Sequence, residues 1–438
     1  MDRKEMKIAL ILSQIASPQQ MCVAAALRFR EAGHTVHVFA PDSGLELLKH
    51  VDLPHTLIPD PAINAFNGLL PKPNGRRTLA ARRARVQAAI TAFGAEDLRD
   101  RLQTLKPDIV LVDTELSAHA IIAAGARYPT ALLASMFQSP PGLQAPPLHF
   151  RQSPGQGLKG SRMGIALAWT YYLLRKNLLH LRNAFRDWGA DHPSALAALE
   201  RREDTRIGRH RWVWQMPFNL RLPMLLMVPG PLDLPVKPRR DQTFVGPLIL
   251  KERPPRPFDR SVLERFSSGQ TKVLVAFGTI LNTRDSLLKA VLAAARAHPH
   301  WEVLGLVRQA ESITDVPANV TLVPWAPQRD LLACANVAII HAGVASVVEC
   351  IEAEVPMLLY PQVNDQQGNA ARVAFHGLGR IGVASDTAET IARHIHELSR
   401  DESVASRLKA MRESFDIATA SDSLERAVEA LAKTGKLP

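Results

Sequence analysis

Between Trp325 and Ala370 one local pattern occurs twice: a short apolar run ends in a tight polar turn, and the turn opens a helix. Asn336 to Ile340 (NVAII) is apolar and β-leaning, His341-Ala342-Gly343 makes the turn, and Val344 to Glu354 has helical periodicity. Pro356 to Tyr360 is a second apolar run, and the polar loop Pro361 to Asp365 opens another helix at Gln366. Strand, turn and helix in that order predict a parallel sheet, because a helix must return the chain before the next parallel strand can form. The pattern also predicts a ligand site. Free N–H groups and the positive dipole end at a helix start attract phosphate oxygens, and loops at the carboxyl ends of neighbouring strands face one crevice. Gly343 permits close backbone approach, Ser346 adds a hydroxyl and His341 a ring nitrogen.

The same rhythm starts at the N-terminus. Lys7 to Leu12 reads as a strand, Gln19 to Ala32 as a helix ended by Gly33, and Thr35 to Phe39 as a second strand. IVLVD, ending at Asp113, is another buried strand, with a helix expected from Ala118 to Ala126. Eight prolines with interleaved charges between Pro229 and Pro257 read as a linker, and the rhythm restarts at Lys272. The expected domains are an N-terminal Rossmann-like unit over 1–228, a linker over 229–257 and a second Rossmann-like unit over 258–420. A last helix is expected in 421–438. At 438 residues and 46% hydrophobic content the chain has material for two full cores.

Composition excludes several classes. No glycine-rich dinucleotide fingerprint follows the first strand, where Ser13 to Gln20 reads SQIASPQQ, and there is no Walker A, HExxH or paired CxxC sequence. Cys22, Cys334 and Cys350 have no metal-ligand spacing and read as free thiols of a reducing compartment, the cytoplasm. The apolar run near the N-terminus is too short for a signal peptide. Net charge is +11, with six basic residues and no acid between Pro71 and Arg85. Without interleaved aromatics or a recognition motif, this does not indicate nucleic acid. GIALAWTYYLL followed by RKNLLHLRNAFR joins an apolar face to a basic one and is too short to span a bilayer. The favoured reading is a helix whose apolar face packs inward and lines a lipophilic pocket while its arginines are solvated. The second reading is peripheral contact at the inner face of the membrane.

The block resembles the nucleotide-sugar signature of the family 1 glycosyltransferases, the UDP-glycosyltransferase group. That pattern, W-x-P-Q, H-x-G-x-x-S/T-x-x-E, P and D/E-Q-x-x-N-A, is met by Trp325, Pro327, Gln328, His341, Gly343, Ser346, Glu349, Pro356, Asp365, Gln366, Asn369 and Ala370. The resemblance implies the GT-B fold, α/β, with two Rossmann-like domains facing across a cleft and the last helix crossing back onto the first domain. It implies that Trp325 stacks on the base, Gln328 and Glu349 hold the ribose, His341 and Ser346 hold the diphosphate, and Asp365 and Gln366 bind sugar hydroxyls. Gly278 and Thr279, after the strand VLVAF, are expected beside the diphosphate. Cys334, Ala345 and Glu354 depart from residues usual in the family; glycine is usual at the last. The implied reaction is inverting transfer of a hexose from a UDP- or dTDP-sugar to a small lipophilic acceptor, with no metal and no further cofactor.

One part of the resemblance fails. Aligned on Gly33-His34, the family's first-loop G-H-x-x-P falls on Ser17, Pro18 and Met21, so its catalytic histidine is absent. His34 itself reads as structural. Asp113 stands where the family has the aspartate that orients that histidine, and Glu115 and His119 follow closely. A carboxylate base, Asp113 first and Glu115 second, is the expectation. The alternative is a donor-binding, catalytically weak homologue acting as a partner or regulator.

Overall fold

A computed structural model describes residues 5–60, 69–208, 220–268, 270–277 and 285–438. The first sheet contains β1 (Lys7–Ile11), β2 (Thr35–Ala40), β3 (His55–Leu57), β4 (Ile109–Asp113), β5 (Thr130–Ala134), β6 (Met224–Pro229) and β7 (Gln242–Gly246). Their spatial order is β3-β2-β1-β4-β5-β6-β7. The second contains β8 (Thr271–Ala276), β9 (Trp301–Leu306), β10 (Val320–Val323), β11 (Val337–Ile340), β12 (Met357–Leu359) and β13 (Gly379–Ile381), in the order β10-β9-β8-β11-β12-β13. Every pairing is parallel. Helices cover both faces of such sheets, which is why IVLVD, MLLMVP and VAII are buried without alternation.

Three expectations are corrected. The proline-rich stretch 229–257 is not linker throughout: Gln242–Gly246 (QTFVG) pairs with β6 as the seventh strand of the first sheet. The first helix starts at Ala16, not Gln19, and takes Pro18 into its opening turn, where a missing N–H breaks no intrahelical bond. The helix Arg162–Asp187 has the opposite polarity to the favoured reading. Its outward stripe is Met163, Leu167, Tyr171, Leu174, Leu178, Leu181 and Phe185, while Lys176, Asn183 and Asp187 are buried with Ile165, Ala168 and Trp169. Trp169 anchors the inner side by donating from Nε1 to the Ala145 carbonyl at 2.8 Å.

The last helix, Ser423–Thr434, packs beside β4 and β7 with Leu424, Val428 and Leu431 buried. Arg28 on the first helix donates from Nε and Nη2 to the two oxygens of Glu425, at 3.1 and 2.9 Å, and from Nη2 to the Ser421 carbonyl at 2.9 Å. Among the described residues no helix is long and apolar enough to cross a membrane.

Candidate active site

Strand order reverses between β1 and β4 in the first sheet and between β8 and β11 in the second. At such switch points neighbouring loops splay apart and leave a crevice at the strands' carboxyl ends. The candidate residues gather at these two crevices. Ser13, just past β1, donates from Oγ to Asp113 Oδ2 at 2.5 Å across the first reversal, and the Glu115 N–H donates to Asp113 Oδ1 at 3.1 Å. Asp113 is fully buried; desolvation raises its pKa, and the bonds from Ser13 and Glu115 hold it down. Both its oxygens are engaged in shaping the loop between β4 and the helix Ser117–Gly125.

Glu115 is half-buried, and its pKa is pushed up to about 8 by desolvation, then by the charge of Asp113, then by that of Asp365. Asp365 belongs to the second domain, so charge on the two domains is felt at this carboxyl. His119 is sealed in the core and lowered to about 4 by burial, which removes it from the cleft. His34 is structural, its Nδ1 accepting from the Met6 N–H at 3.4 Å.

In the second domain, the turn after β11 places Ala342 at φ 63 and Gly343 as N-cap of the helix Val344–Glu352. A Cβ at Gly343 would lie 2.6 Å from His341 Nε2, so this position admits no side chain without moving the imidazole. His341 Nδ1 donates to the Ala276 carbonyl at 3.3 Å across the β8/β11 reversal. Burial lowers the His341 pKa, opposed by that bond and by Asp365. Gln328 Nε2 donates to Glu349 Oε2 at 2.8 Å and to Ser346 Oγ at 3.3 Å, so three of the expected donor contacts form one network. Asp365 accepts from Asn369 Nδ2 at 2.8 Å, and its pKa is raised by burial against the pull of Asn369, His149 and His341. Gln366 Oε1 accepts from the Gln362 and Val363 N–H groups at 2.9 and 3.1 Å, which shapes the loop before its helix. Gly278 and Thr279 lie outside the described residues.

Several contributors have no motif in the sequence. Arg253 ion-pairs with Glu349, while Arg256 lies 5.8 Å over the Trp325 ring and Phe258 meets it edge-on at 6.2 Å. The segment after β7 thus borders the platform expected for a base. Leu148 packs at Gly368, Arg151 bonds Gln367, and Ser153 Oγ donates to the Ala371 carbonyl at 3.1 Å, so a loop of the first domain closes one flank of the cleft beside Asp365. Between the first helix and the helix Val344–Glu352 lies a narrow crevice bordered by Ser17, Gln20, Arg253, Ala345 and Glu349.

Two Rossmann-like domains with their switch points turned to one cleft define the GT-B architecture. Residues 224–415 match the family model "UDP-glucoronosyl and UDP-glucosyl transferase". The chain is 28% identical over 199 residues to the NDP-glycosyltransferase YjiC of Bacillus subtilis, covering 44% of this chain and 49% of that protein. It is 28% identical over 173 residues to demethyllactenocin mycarosyltransferase of Streptomyces fradiae, covering 39% and 36%. The chain thus spans about half the length, or less, of these curated relatives. Among solved structures it resembles the glycotransferase of kitacinnamycin (TM-score 0.70, 19% identity, 99% and 100% coverage). It also resembles the glycosyltransferase VinC in complex with DTDP (TM-score 0.64, 16% identity, 98% and 99% coverage). The fold is GT-B, and residues 224–415 are similar to the UDP-glucoronosyl and UDP-glucosyl transferases.

Proposed function

We propose that the protein is an inverting glycosyltransferase that moves a hexose from a UDP- or dTDP-sugar to a hydroxyl of a small lipophilic molecule in the cytoplasm, without a metal. The observation that carries this reading is the hydrogen-bond network of Gln328 with Glu349 and Ser346, which stand on the helix opened by the His341–Gly343 turn at the second switch point. The nucleotide lies on the second domain, with its base on Trp325, its ribose near Gln328 and Glu349, and its diphosphate at the start of the helix Val344–Glu352 beside His341 and Ser346. Asp365 and Gln366 hold the hexose.

Glu115 in its ionised form takes the acceptor proton as the acceptor oxygen bonds to the anomeric carbon. The bond from that carbon to the phosphate oxygen breaks, and the nucleoside diphosphate leaves with the electron pair. Helix N–H groups and the Ser346 hydroxyl stabilise its charge. Asp113 positions the loop that presents Glu115. The ionised carboxylate of Glu115 stands in for the missing family histidine, since each accepts the proton of the acceptor hydroxyl.

Release of UDP or dTDP from a panel of nucleotide sugars tests the reading. Slow donor hydrolysis, unaffected by a chelator and abolished in Asp365→Ala, is the expected result. Tight nucleotide binding with no release, even with apolar phenolic acceptors, would instead establish the catalytically weak homologue.

A further inference from the structure

The helix Arg162–Asp187 presents large apolar side chains to the outside along its whole length. From Met163 to Phe185 the seven residues of the stripe are 56–73% exposed, at successive spacings of four or three that keep them on one face. At about 1.5 Å per residue the stripe is roughly 33 Å long. Leu158, just before the helix, and Leu79, next to the Thr78 carbonyl that accepts from Trp188 Nε1, are also exposed. An exposed, continuous apolar face of this size marks a contact surface, because isolated soluble domains rarely leave one uncovered.

Charge decides what covers it. Lys159, Arg162, Arg175 and Arg182 are exposed along the helix and just before it, and no acid occurs between Leu158 and Arg186. Arg77 donates from Nη1 to the Phe185 carbonyl at 2.9 Å, which brings the basic segment 72–85 to the far end of the stripe. A second copy of the chain would suit the spacing but would supply only more arginines beside the seam, with no carboxylate to receive them. An anionic lipid surface supplies both an apolar phase and negative charge.

We propose that this face docks on an anionic bilayer, with the helix lying in the plane of the interface, its apolar stripe among the acyl chains and its arginines at the phosphates. The proposal stands apart from the glycosyl-transfer reading, since it needs neither donor nor acceptor. Vesicle co-sedimentation of the full chain tests it, with phosphatidylcholine alone or mixed with phosphatidylglycerol, at low and high salt. The protein is expected to pellet with the anionic vesicles at low salt and to be released by high salt. Leu174→Ser with Leu178→Ser should lower partitioning about ten-fold or more by removing two apolar anchors. Arg175→Gln with Arg182→Gln should weaken the salt response. A circular dichroism spectrum and melting temperature unchanged from wild type in both variants show that they are folded. Absence of pelleting with anionic vesicles at low salt overturns the proposal, as does equal partitioning of the leucine variant. A dimer seen by light scattering, lost in that variant and unaccompanied by lipid binding, assigns the face to a second copy instead.

Discussion

Glu115 keeps its proton to about pH 8 because burial, Asp113 and Asp365 all penalise its carboxylate. A general base works only when ionised, so in the proposed role Glu115 should make turnover climb with pH and level off above about 8. Glu115→Gln should lose about 10² to 10⁴ in rate, together with that climb; a variant retaining both would remove Glu115 from the chemistry. Stability moves the other way. The folded state holds a proton that the unfolded chain releases near 4.5, so the contribution of this group is full below that pH and is lost as pH rises to about 8. Glu115→Gln should therefore melt above wild type at pH 8.5 and close to it at pH 5. His341 behaves differently. With Nδ1 committed to the Ala276 carbonyl, Nε2 can donate to a phosphate only if the ring is protonated. Calorimetry should show UDP affinity falling as pH rises through the histidine range, and this dependence should vanish in His341→Ala. The candidate residues at the second crevice were legible as one cluster because they fall in a contiguous motif block, Trp325 to Ala370. The choice between Asp113 and Glu115 was not, since they lie two residues apart at the end of one strand and only the fold shows that Ser13 and a backbone N–H occupy Asp113. Arg253 and Arg256 were invisible for a related reason: they reach Glu349 and Trp325 from a distant part of the chain.

Glu354 shows how an element's end can carry strain that a sequence hints at. It adopts φ 56, directly after the helix Val344–Glu352 and Ala353, in the left-handed region where a β-carbon costs about 1 kcal/mol. That backbone explains why glycine is usual there in the family it resembles. Arg412 Nη1 bonds Glu354 Oε1 at 2.8 Å, but the pair is partly exposed and should contribute less than about 1 kcal/mol. Glu354→Gly should then gain roughly 0.5 kcal/mol, whereas Glu354→Ala keeps the strain and loses the pair. Denaturant unfolding should rank the three Gly, Glu, Ala from most to least stable, and a wild type above the glycine variant would show that the ion pair outweighs the strain. The longer apolar runs β1, β2, β4, β8, β11 and β12 were legible, whereas β3, β5, β6, β9, β10 and β13 were not read and β7 was taken for linker. Prolines on both sides made 229–257 look like linker, although residues 239–246 contain none and QTFVG is β-leaning. The helix Arg162–Asp187 was found but its inward face misjudged, because periodicity reports that a helix has two faces without saying which one the rest of the protein covers.

At the scale of the whole molecule, the cleft depends on how the two sheets are fastened, and one buried ion pair dominates that junction. Arg372, on the helix Gln366–Phe375, donates from Nε and Nη2 to Asp233 Oδ1 at 2.8 and 2.6 Å. Its guanidinium lies 4.3 Å over the Phe137 ring, and Nη1 donates to its own helix at the Gly368 carbonyl, 3.0 Å away. Asp233 follows β6 and Phe137 follows β5, so an arginine of the donor domain is bolted into the first sheet. Arg372 is 1% exposed, and burial pulls its pKa down while Asp233 holds it up, so the charge survives there because of the partner. Arg372→Met should leave Asp233 buried without its cation and cost about 3–5 kcal/mol. Removing both charges, in Arg372→Met with Asp233→Leu, should recover much of that loss, since what destabilises is the unpaired carboxylate and not the absence of the pair. Equilibrium denaturation of the two variants decides the matter: if the double variant is no more stable than the single one, the junction is held by the Phe137 contact and not by the ion pair.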